Sequence, residues 1–474
     1  MIRTITRNNL ILLIIPIIIW IVVYFVIGFD GLYGQDSYEY LRYTKAISHF
    51  MKTGEHPGDY FWPLYYPISG AIVNLLTNNE KISLLTVSVL SLSTSAYYLH
   101  KLITLLFPEN IRFSILYVIG FYIFSPYVVK SSVTVMSDML ATCFIIVTVY
   151  NFYKYKFDKI IINFYGIAIF SVFAVMTRYA SAILVLPFIL ISINYFIKQE
   201  KFWKHVLPIL VVVGILTLPH FLVRYSNYDS FLSHPWLNNW SLANFFNNSF
   251  ITVDGYSDNL LPNLIYSFSN FFHPAYIFLG PFLIFILIKK RSLIFLDISL
   301  VAIILYALFL AGIPFQNNRF LLLSFPIVLV SFYPAFNFIS HRLQKKLFLF
   351  GISAVVVVQL MLTGRTLQPI FERNRFELNL TEQLKPYQNK TLYSFDVDIA
   401  LKGRGLNFNY KNLWENRYED FQQGELVLFH PTKFEKQWNH KNPMINWKKL
   451  NSNYSLKTIL NGADGWKLYK IERN

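Results

Sequence analysis

Long apolar segments recur along most of this 474-residue chain. A helix of about 20 apolar residues crosses the hydrocarbon core of a bilayer, which is roughly 30 Å thick. Charged residues make up only 14% of the chain, whereas soluble proteins have about 25%. The segments predict a polytopic α-helical membrane protein with about eleven spans, near residues 9–28, 81–106, 113–129, 134–153, 161–177, 180–197, 205–224, 268–288, 293–312, 320–339 and 347–364.

Lysines and arginines are distributed unevenly among the connections between these spans. Clusters such as 154–159 and 198–204 occupy every second connection, whereas the intervening turns hold single cations at Lys130, Arg178 and Arg319. Because cytoplasmic loops carry such clusters, we predict a multi-pass protein of the plasma (inner) membrane with a cytoplasmic N-terminus. Since most of the net charge of +16 belongs to these clusters, no nucleic-acid partner is predicted. Residues 29–80, 225–267 and 365–474 are then predicted to lie outside.

The last part of the chain is more polar than the rest. Residues 392–395, 425–429, 455–460 and 466–471 have the composition of short strands, and the last two flank Asn461-Gly462-Ala463-Asp464-Gly465, a hairpin-type turn. We predict two domains. Residues 1–364 form the transmembrane domain, which includes the first outer loop, 29–80, and residues 365–474 form a small extracytoplasmic α/β domain.

The first outer loop has acidic residues where the chain leaves the first span. Asp36 directly precedes and Glu39 lies within a segment, 37–52, whose apolar residues recur at spacings of three and four, as in an amphipathic helix lying in the membrane interface. A second, shallow helix is predicted over 63–79. Asp36 is either a helix N-cap or a catalytic carboxylate, and the two roles can coexist. Glu39 fits a solvated helix face better than a site.

Three more charged residues fall at the predicted outer ends of spans. A lone carboxylate such as Asp138 needs a partner, water or a function at that depth. Arg178 and Arg319 either extend to the lipid headgroups or bind phosphate through the planar guanidinium group. The polar run Gln316-Asn317-Asn318-Arg319 favours binding. His273 and Arg224 are weaker candidates, because a histidine at a helix start is more often simply hydrogen-bonded.

Several motifs are absent from the sequence. It has no Gly-x-x-x-x-Gly-Lys loop, no Gly-x-Gly-x-x-Gly, no His-Glu-x-x-His and no Cys-x-x-Cys. These absences argue against a nucleotide-driven pump and against a zinc enzyme of the usual type. The single cysteine, Cys143, lies in an apolar run, where packing is its expected role.

The order of the motifs resembles the GT-C superfamily of polytopic glycosyltransferases, in particular its bacterial protein-mannosyltransferase and aminoarabinose-transferase-like branch. The resemblance covers about residues 9–340. It rests on Gly34-Gln35-Asp36-Ser37-Tyr38, Trp62-Pro63-Leu64-Tyr65-Tyr66-Pro67, Met136-Ser137-Asp138, Thr177-Arg178-Tyr179 and Asn318-Arg319-Phe320.

The resemblance implies an inverting glycosyltransferase. It would move a hexosyl or pentosyl group from a polyprenyl-phosphate donor in the lipid bilayer to an extracytoplasmic protein, lipid or glycan. In that family an acidic residue of the first outer loop acts at the transfer centre, and Asp36 matches it. A second acidic residue often follows directly, but here Ser37 follows. A transporter or flippase of lipid-linked sugars is one alternative, since it would use similar helices and outer arginines. A degenerate homologue that binds a lipid-linked sugar without turnover is another.

Position in the sequence and the resemblance together give the candidate site residues. No certain cofactor is identified, and a divalent metal ion is left open. The predicted catalytic residues are Asp36, Glu39 and Asp138, and the predicted substrate-binding residues are Gln35, Tyr65, Tyr66, Arg178, His273, Gln316, Asn318 and Arg319.

Overall fold

A computed structural model describes residues 7–108, 113–224, 235–252, 255–269, 280–290, 297–462 and 465–472. Helices dominate it. They are α1 (Arg7–Ile21), α2 (Gly34–Thr53), α3 (Tyr65–Thr77), α4 (Glu80–Leu106), α5 (Ser114–Val118), α6 (Pro126–Val133), α7 (Asp138–Asp158), α8 (Ile161–Thr177), α9 (Ser181–Ile197), α10 (Trp203–Arg224), α11 (Pro235–Asn238), α12 (Asn263–Ser267), α13 (Gly280–Lys289), α14 (Ile298–Ala311), α15 (Asn318–Leu321), α16 (Phe325–Arg342), α17 (Lys345–Leu384), α18 (Asp398–Gly403), α19 (Pro431–Trp438) and α20 (Asn442–Asn453). The strands are β1 (Ser249–Thr252), β2 (Gly255–Asp258), β3 (Thr391–Ser394), β4 (Asn409–Asn412), β5 (Leu426–Phe429), β6 (Ser455–Asn461) and β7 (Lys467–Glu472).

Contacts divide the chain into two compact units. The helical unit consists of Met1–Gly31, Tyr43–Asn248 and Leu260–Gln368. The C-terminal unit consists of Leu32–Arg42, Ser249–Asn259 and Pro369–Asn474. The first turns of α2, which carry Asp36, therefore belong to the unit built mainly from the end of the chain.

The helical unit has the apolar helices of a polytopic membrane protein. Among the described residues, four helices are long and apolar enough to cross a membrane, namely Asn9–Val26, Glu80–Leu106, Trp203–Val223 and Lys345–Tyr387. A bent pair is a fifth candidate, and α8, α9 and α14 are apolar but shorter. Each predicted span overlaps a helix, whereas the count of eleven stays a prediction.

The predicted span 113–129 is not one straight helix. It consists of α5 with a π-helical extension, Ile119–Ile123, followed after a break by α6 at an angle of 68°. Pro126 opens α6, and Ser125 before it is extended, with ψ 129°. Because a proline disfavours helical geometry in the preceding residue, the apolar run cannot continue as one helix there.

The last predicted span, 347–364, belongs to a longer helix, because α17 continues to Leu384. Hydropathy identified only the apolar first half. In the second half, buried Ile370, Leu380 and Leu384 recur among polar residues at helical spacing. The predicted domain boundary at 364/365 therefore lies inside a helix, and the contacts divide the chain at Gln368 instead.

The two predicted helices of the first outer loop are present as α2 and α3. The apolar face of α2 was expected to lie in the membrane interface. Tyr40, Tyr43 and Ile47 are instead buried within the protein, and only Phe50 is exposed, at 44%. Tyr43 stacks on Tyr60 with ring centroids 4.0 Å apart. The apolar face of α2 is therefore covered by other parts of the protein and not by the lipid that the sequence pattern predicted.

The C-terminal unit contains the predicted mixed α/β fold. Its five-stranded sheet has the order β4-β3-β5-β7-β6. Strands β4, β3 and β5 run parallel to one another, and β7 runs antiparallel to both of its neighbours, β5 and β6. All residues of β3 and β5 are buried, as is typical of parallel strands covered on both faces. The predicted pairing of the last two strands is confirmed as β6–β7.

Candidate active site

Asp138 is the first residue of α7 and its carboxylate is fully buried. A buried carboxylate is costly unless it is paired and hydrogen-bonded. Two guanidinium groups meet that requirement. Arg178 donates from Nη1 to Asp138 Oδ1, and Arg319 donates from Nε to Asp138 Oδ2 at 2.9 Å. The sequence singled out these three residues separately, and the fold brings them together.

Backbone hydrogen bonds hold Arg178 in place, and the side chains of both arginines are largely shielded from solvent. Arg178 lies in the tight connection between α8 and α9, where its N–H donates to Ala174 O and its carbonyl accepts from Ser181 N, both at 2.9 Å. Its guanidinium carbon lies 5.0 Å from the centroid of the Phe320 ring. The side chains of Arg178 and Arg319 are only 12% and 20% exposed. Neither arginine is therefore simply a solvated surface cation.

A third cation lies near this pair. Lys130 of α6 lies close enough to Arg319 for the two positive charges to repel each other. The cluster thus consists of three cationic side chains, Arg178, Arg319 and Lys130, and one anionic side chain, Asp138. Charge attraction is strong where solvent is scarce, so this cluster can hold a further anion. The sequence places Lys130 in a predicted outer turn, but Lys130 is not among the predicted site residues. Its position beside the other single cations was the available signal.

Polar side chains fix the turn that carries Arg319. Asn317 Oδ1 accepts from Arg319 N at 3.0 Å, and Asn318 Nδ2 donates to the Tyr127 hydroxyl at 3.0 Å. Gln316 Nε2 donates to Leu261 O at 2.8 Å. The polar run thus orients Arg319, and these contacts occupy the amides of Gln316 and Asn318 within the protein. Their predicted role in binding substrate remains a prediction.

Asp36 lies in the first turn of α2, as the third residue of that helix, and is partly exposed. It is not the N-cap, because the helix already begins at Gly34. Ser37 instead ties the start of the helix: its hydroxyl donates to Tyr33 O at 2.6 Å, and Tyr33 N donates to Ser37 Oγ at 3.1 Å. Gln35 beside Asp36 is exposed.

Glu39 forms a surface ion pair with Arg42. Arg42 Nε and Nη2 both lie 2.9 Å from Glu39 Oε2, and the side chains of Arg42 and Glu39 are 46% and 34% exposed. This geometry agrees with a solvated helix face. A catalytic role for Glu39 stays a prediction.

The two aromatic candidates of the first loop lie in the helical unit. The Tyr65 hydroxyl donates to Leu216 O at 2.6 Å. Tyr66 is completely buried, and its hydroxyl bonds to Leu84 O at 3.1 Å and to Ser88 Oγ at 2.8 Å. Tyr66 therefore packs α3 against α4, and its predicted role in binding substrate stays a prediction. His273 and the side chain of Arg224 lie outside the described residues.

In the part of the chain that the structure describes, no three His, Cys, Asp or Glu side chains come together as a group that could hold a metal ion. The ligand set for the divalent ion that the sequence left open is therefore not located. Asp138 is held by guanidinium groups rather than by other acids.

Similarity to known proteins is detectable in the fold alone. No protein-family model and no curated protein sequence matches the chain. The crystal structure of ArnT from Cupriavidus metallidurans in the apo state is similar with a TM-score of 0.62 and 11% identity, over 97% of each chain. ArnT bound to undecaprenyl phosphate gives a TM-score of 0.61 and 11% identity, over 98% of each chain. The apo oligosaccharyltransferase of Archaeoglobus fulgidus gives a TM-score of 0.48 and 11% identity, over 96% of this chain and 70% of that one. The chain therefore shares the fold of the ArnT structures.

Proposed function

We propose that this protein is an inverting glycosyltransferase that moves a sugar from a polyprenyl-phosphate donor to an extracytoplasmic acceptor. The observation that carries the proposal is the convergence of Arg178 and Arg319 on the buried Asp138. The cluster belongs to a chain with the fold of ArnT, and one ArnT structure holds undecaprenyl phosphate. A hexosyl or pentosyl group, and a protein, lipid or glycan acceptor, are the finer parts of the proposal.

The charge balance of the cluster suits a phosphate leaving group. The phosphate of a lipid-linked sugar is a diester and carries one negative charge. When its bond to the sugar breaks, the leaving phosphate monoester carries additional negative charge. Cations fixed beside the phosphate therefore stabilise the transition state more than the bound donor, which is the requirement for catalysis. Asp138 holds the guanidinium groups of Arg178 and Arg319 in place before the donor arrives.

The proposed reaction is a single displacement. The oxygen of an acceptor hydroxyl attacks the anomeric carbon, and a new C–O bond forms. The bond from that carbon to the phosphate oxygen breaks, and its electron pair stays on the phosphate. The hydroxyl proton passes to a carboxylate base, a role that we assign to Asp36. Attack opposite the leaving group inverts the anomeric configuration.

Turnover by the purified full-length protein tests the proposal. The protein in lipid nanodiscs is offered a panel of radiolabelled undecaprenyl-phosphate sugars, with peptide, lipid A and glycan acceptors. Release of undecaprenyl phosphate together with a labelled acceptor is expected. Asp36→Asn should lower turnover by about 10²–10⁴-fold, because it removes a base, while donor binding persists. Asp59→Asn alters an exposed carboxylate of the same loop and serves as the matched control.

Three results would contradict parts of this proposal. Absence of product with every donor and acceptor refutes the transferase. Movement of labelled lipid between the leaflets of a vesicle without product favours the flippase instead. Near-normal turnover in Asp36→Asn leaves the transferase standing but removes Asp36 as its base.

A further inference from the structure

The C-terminal unit contains Leu32–Arg42 as well as the end of the chain. These residues include the first turn of α2 with Asp36, which is called the acidic turn below. Two side chains of α17 bind the first turn of α2 and the residues just before it. The Tyr38 hydroxyl donates to Glu377 Oε2, and Asn374 Nδ2 donates to Leu32 O at 2.9 Å. Tyr38, Asn374 and Glu377 are all buried. The turn that carries Asp36 is therefore anchored at two points, six residues apart in the sequence.

The ring of Tyr38 is also enclosed. The guanidinium carbon of Arg404 lies 5.6 Å from its centroid, and a Cβ atom at Gly403 would overlap the ring. Gly403 and Arg404 lie at the end of α18. Because only a glycine leaves room for the ring there, α18 fits closely against the first turns of α2.

Glu377 is itself held by neighbouring cations. Arg373 Nε donates to its Oε1 at 2.7 Å, and Arg404 Nη2 lies 3.7 Å from its Oε2. Arg373 also pairs with Asp396 at 3.3 Å, and Asp396 accepts from Lys433 Nζ at 2.9 Å. This chain of ion pairs joins Tyr38 to the connection after β3 and to α19. Tyr38 is thus fixed to a network rather than to a single side chain.

We propose that the C-terminal unit positions Asp36, and that Tyr38 and Glu377 are its positioning residues. The inference rests on the proposed function, in which Asp36 is the base. Asp36 and Tyr38 are two residues apart on one helix, so they point in directions roughly 200° apart. Tyr38 therefore points into the unit while Asp36 remains partly exposed. A shift of the Tyr38 anchor moves Asp36 with the helix.

The test compares two tyrosine variants of the full-length protein. Tyr38→Phe removes only the hydroxyl that donates a hydrogen bond to Glu377. Tyr410→Phe is the matched control, because the Tyr410 hydroxyl donates to Leu406 O at 3.1 Å within the same unit. Amide hydrogen exchange is measured over residues 32–42 and over β3 and β5. Steady-state turnover is measured with the donor that the wild-type protein uses.

Tyr38→Phe is expected to speed exchange in residues 32–42 while β3 and β5 exchange as in the wild type. Turnover should fall on the order of 10- to 100-fold, the size of effect that a catalytic group displaced by about 1 Å produces, while KM for the donor stays constant. Glu377→Gln should give the same pattern in weaker form, since an amide oxygen still accepts from Tyr38. Tyr410→Phe should change neither measurement.

Unchanged exchange in residues 32–42 would overturn the inference, whether or not the protein is active. Faster exchange with unchanged turnover in an active protein would overturn it as well. A wild-type protein without transferase activity would refute the proposed function, while the exchange measurement would still decide whether the C-terminal unit holds the acidic turn.

Discussion

Asp138 joins two arginines that lie 40 and 181 positions away in the chain. Each of the three residues is costly on its own in an apolar setting. Together they satisfy one another, because each carboxylate oxygen accepts from one guanidinium group. Removing one partner of a buried ion pair is strongly destabilising, but Asp138 keeps Arg178 when Arg319 is replaced. Arg319 is thus the better residue for a test of donor binding.

Arg319→Ala is expected to weaken binding of the polyprenyl-phosphate donor by about 1.5–3 kcal/mol, the range for a hydrogen bond to a charged group. This corresponds to about 10- to 150-fold in Kd. Arg319→Lys should recover only part of the loss, because lysine keeps the charge without the planar fork. Donor titration of the purified variants measures both effects.

Arg342→Ala is the matched control for this titration. Arg342 is an exposed arginine at the end of α16, stacked over Phe338 at 4.5 Å. Its replacement should leave donor affinity unchanged. If Arg319→Ala and Arg319→Lys bind the donor as tightly as the wild type, Arg319 is a headgroup anchor instead.

Asp398 and Asp396 should respond to pH with opposite signs. Burial raises the pKa of Asp398 from its ordinary 3.8 to about 6. The ionised form therefore costs stability above pH 6, on the order of 2–3 kcal/mol, because a tenfold change in proton affinity corresponds to about 1.36 kcal/mol. This cost disappears as the pH falls from 6 towards 4. Asp398→Asn should raise the thermal midpoint at pH 8 and leave it unchanged at pH 4, as measured by tryptophan fluorescence of the full chain.

Asp396→Asn is the matched variant two residues away. Burial alone would raise the pKa of Asp396, but Arg373 and Lys433 outweigh it and hold the pKa below its ordinary value. Its ion pairs therefore contribute stability above pH 3.8 that is lost as the pH falls through the lowered pKa. Asp396→Asn should lower the midpoint at pH 8. The same pH dependence in both variants would contradict a raised pKa for Asp398 and a lowered pKa for Asp396.

At the scale of elements, the break between α5 and α6 shows how a helix interruption is tolerated in an apolar interior. Carbonyls near the break need donors from elsewhere, because unsatisfied backbone groups are costly without water. Two side chains of α17, one turn apart, supply them. Gln359 Nε2 donates to Gly120 O, and Thr363 Oγ1 lies 3.5 Å from Phe124 O. Sequence patterns indicated the apolar run but not the bend or its donors.

Gln359→Leu should therefore destabilise the full-length protein by about 1–3 kcal/mol, the cost of leaving a buried carbonyl without its partner. Gln359 is 1% exposed. The thermal midpoint in detergent measures the effect. Gln368→Leu makes the same change at an exposed position of the same helix and should have a smaller effect. Equal midpoints for the two variants would show that the Gly120 carbonyl does not depend on Gln359.

At the scale of the whole molecule, the single cations of the intervening turns lie close together. Lys130 interacts with Arg319, and Arg319 and Arg178 share Asp138. Three turns that the charge pattern assigned to one side of the membrane thus meet at one place. The direction of the chain across the membrane follows from the cationic clusters and stays a prediction.

Cysteine labelling tests that direction. The only native cysteine, Cys143, is buried, so Cys143→Ala provides a background without reactive thiols. A membrane-impermeant maleimide should label Lys436→Cys, in the exposed part of α19, from outside intact cells. Lys201→Cys, in the exposed connection before α10, should react only after lysis. If both Lys436→Cys and Lys201→Cys react only after lysis, the C-terminal unit lies inside and the predicted odd number of spans is refuted.

The sequence by itself determined the membrane class, the positions of most helices and the β6–β7 pairing. Hydropathy and turn residues express these features locally, through neighbours in the chain. Only the tertiary structure decided which charges pair, where α17 ends and which side chains bond to the carbonyls at the break between α5 and α6. Asp138 with Arg319, Gln359 with Gly120, and Tyr38 with Glu377 are separated by 181, 239 and 339 positions. Such partners are selected by helix packing and by the need to satisfy buried polar groups, and neither leaves a local pattern in the sequence.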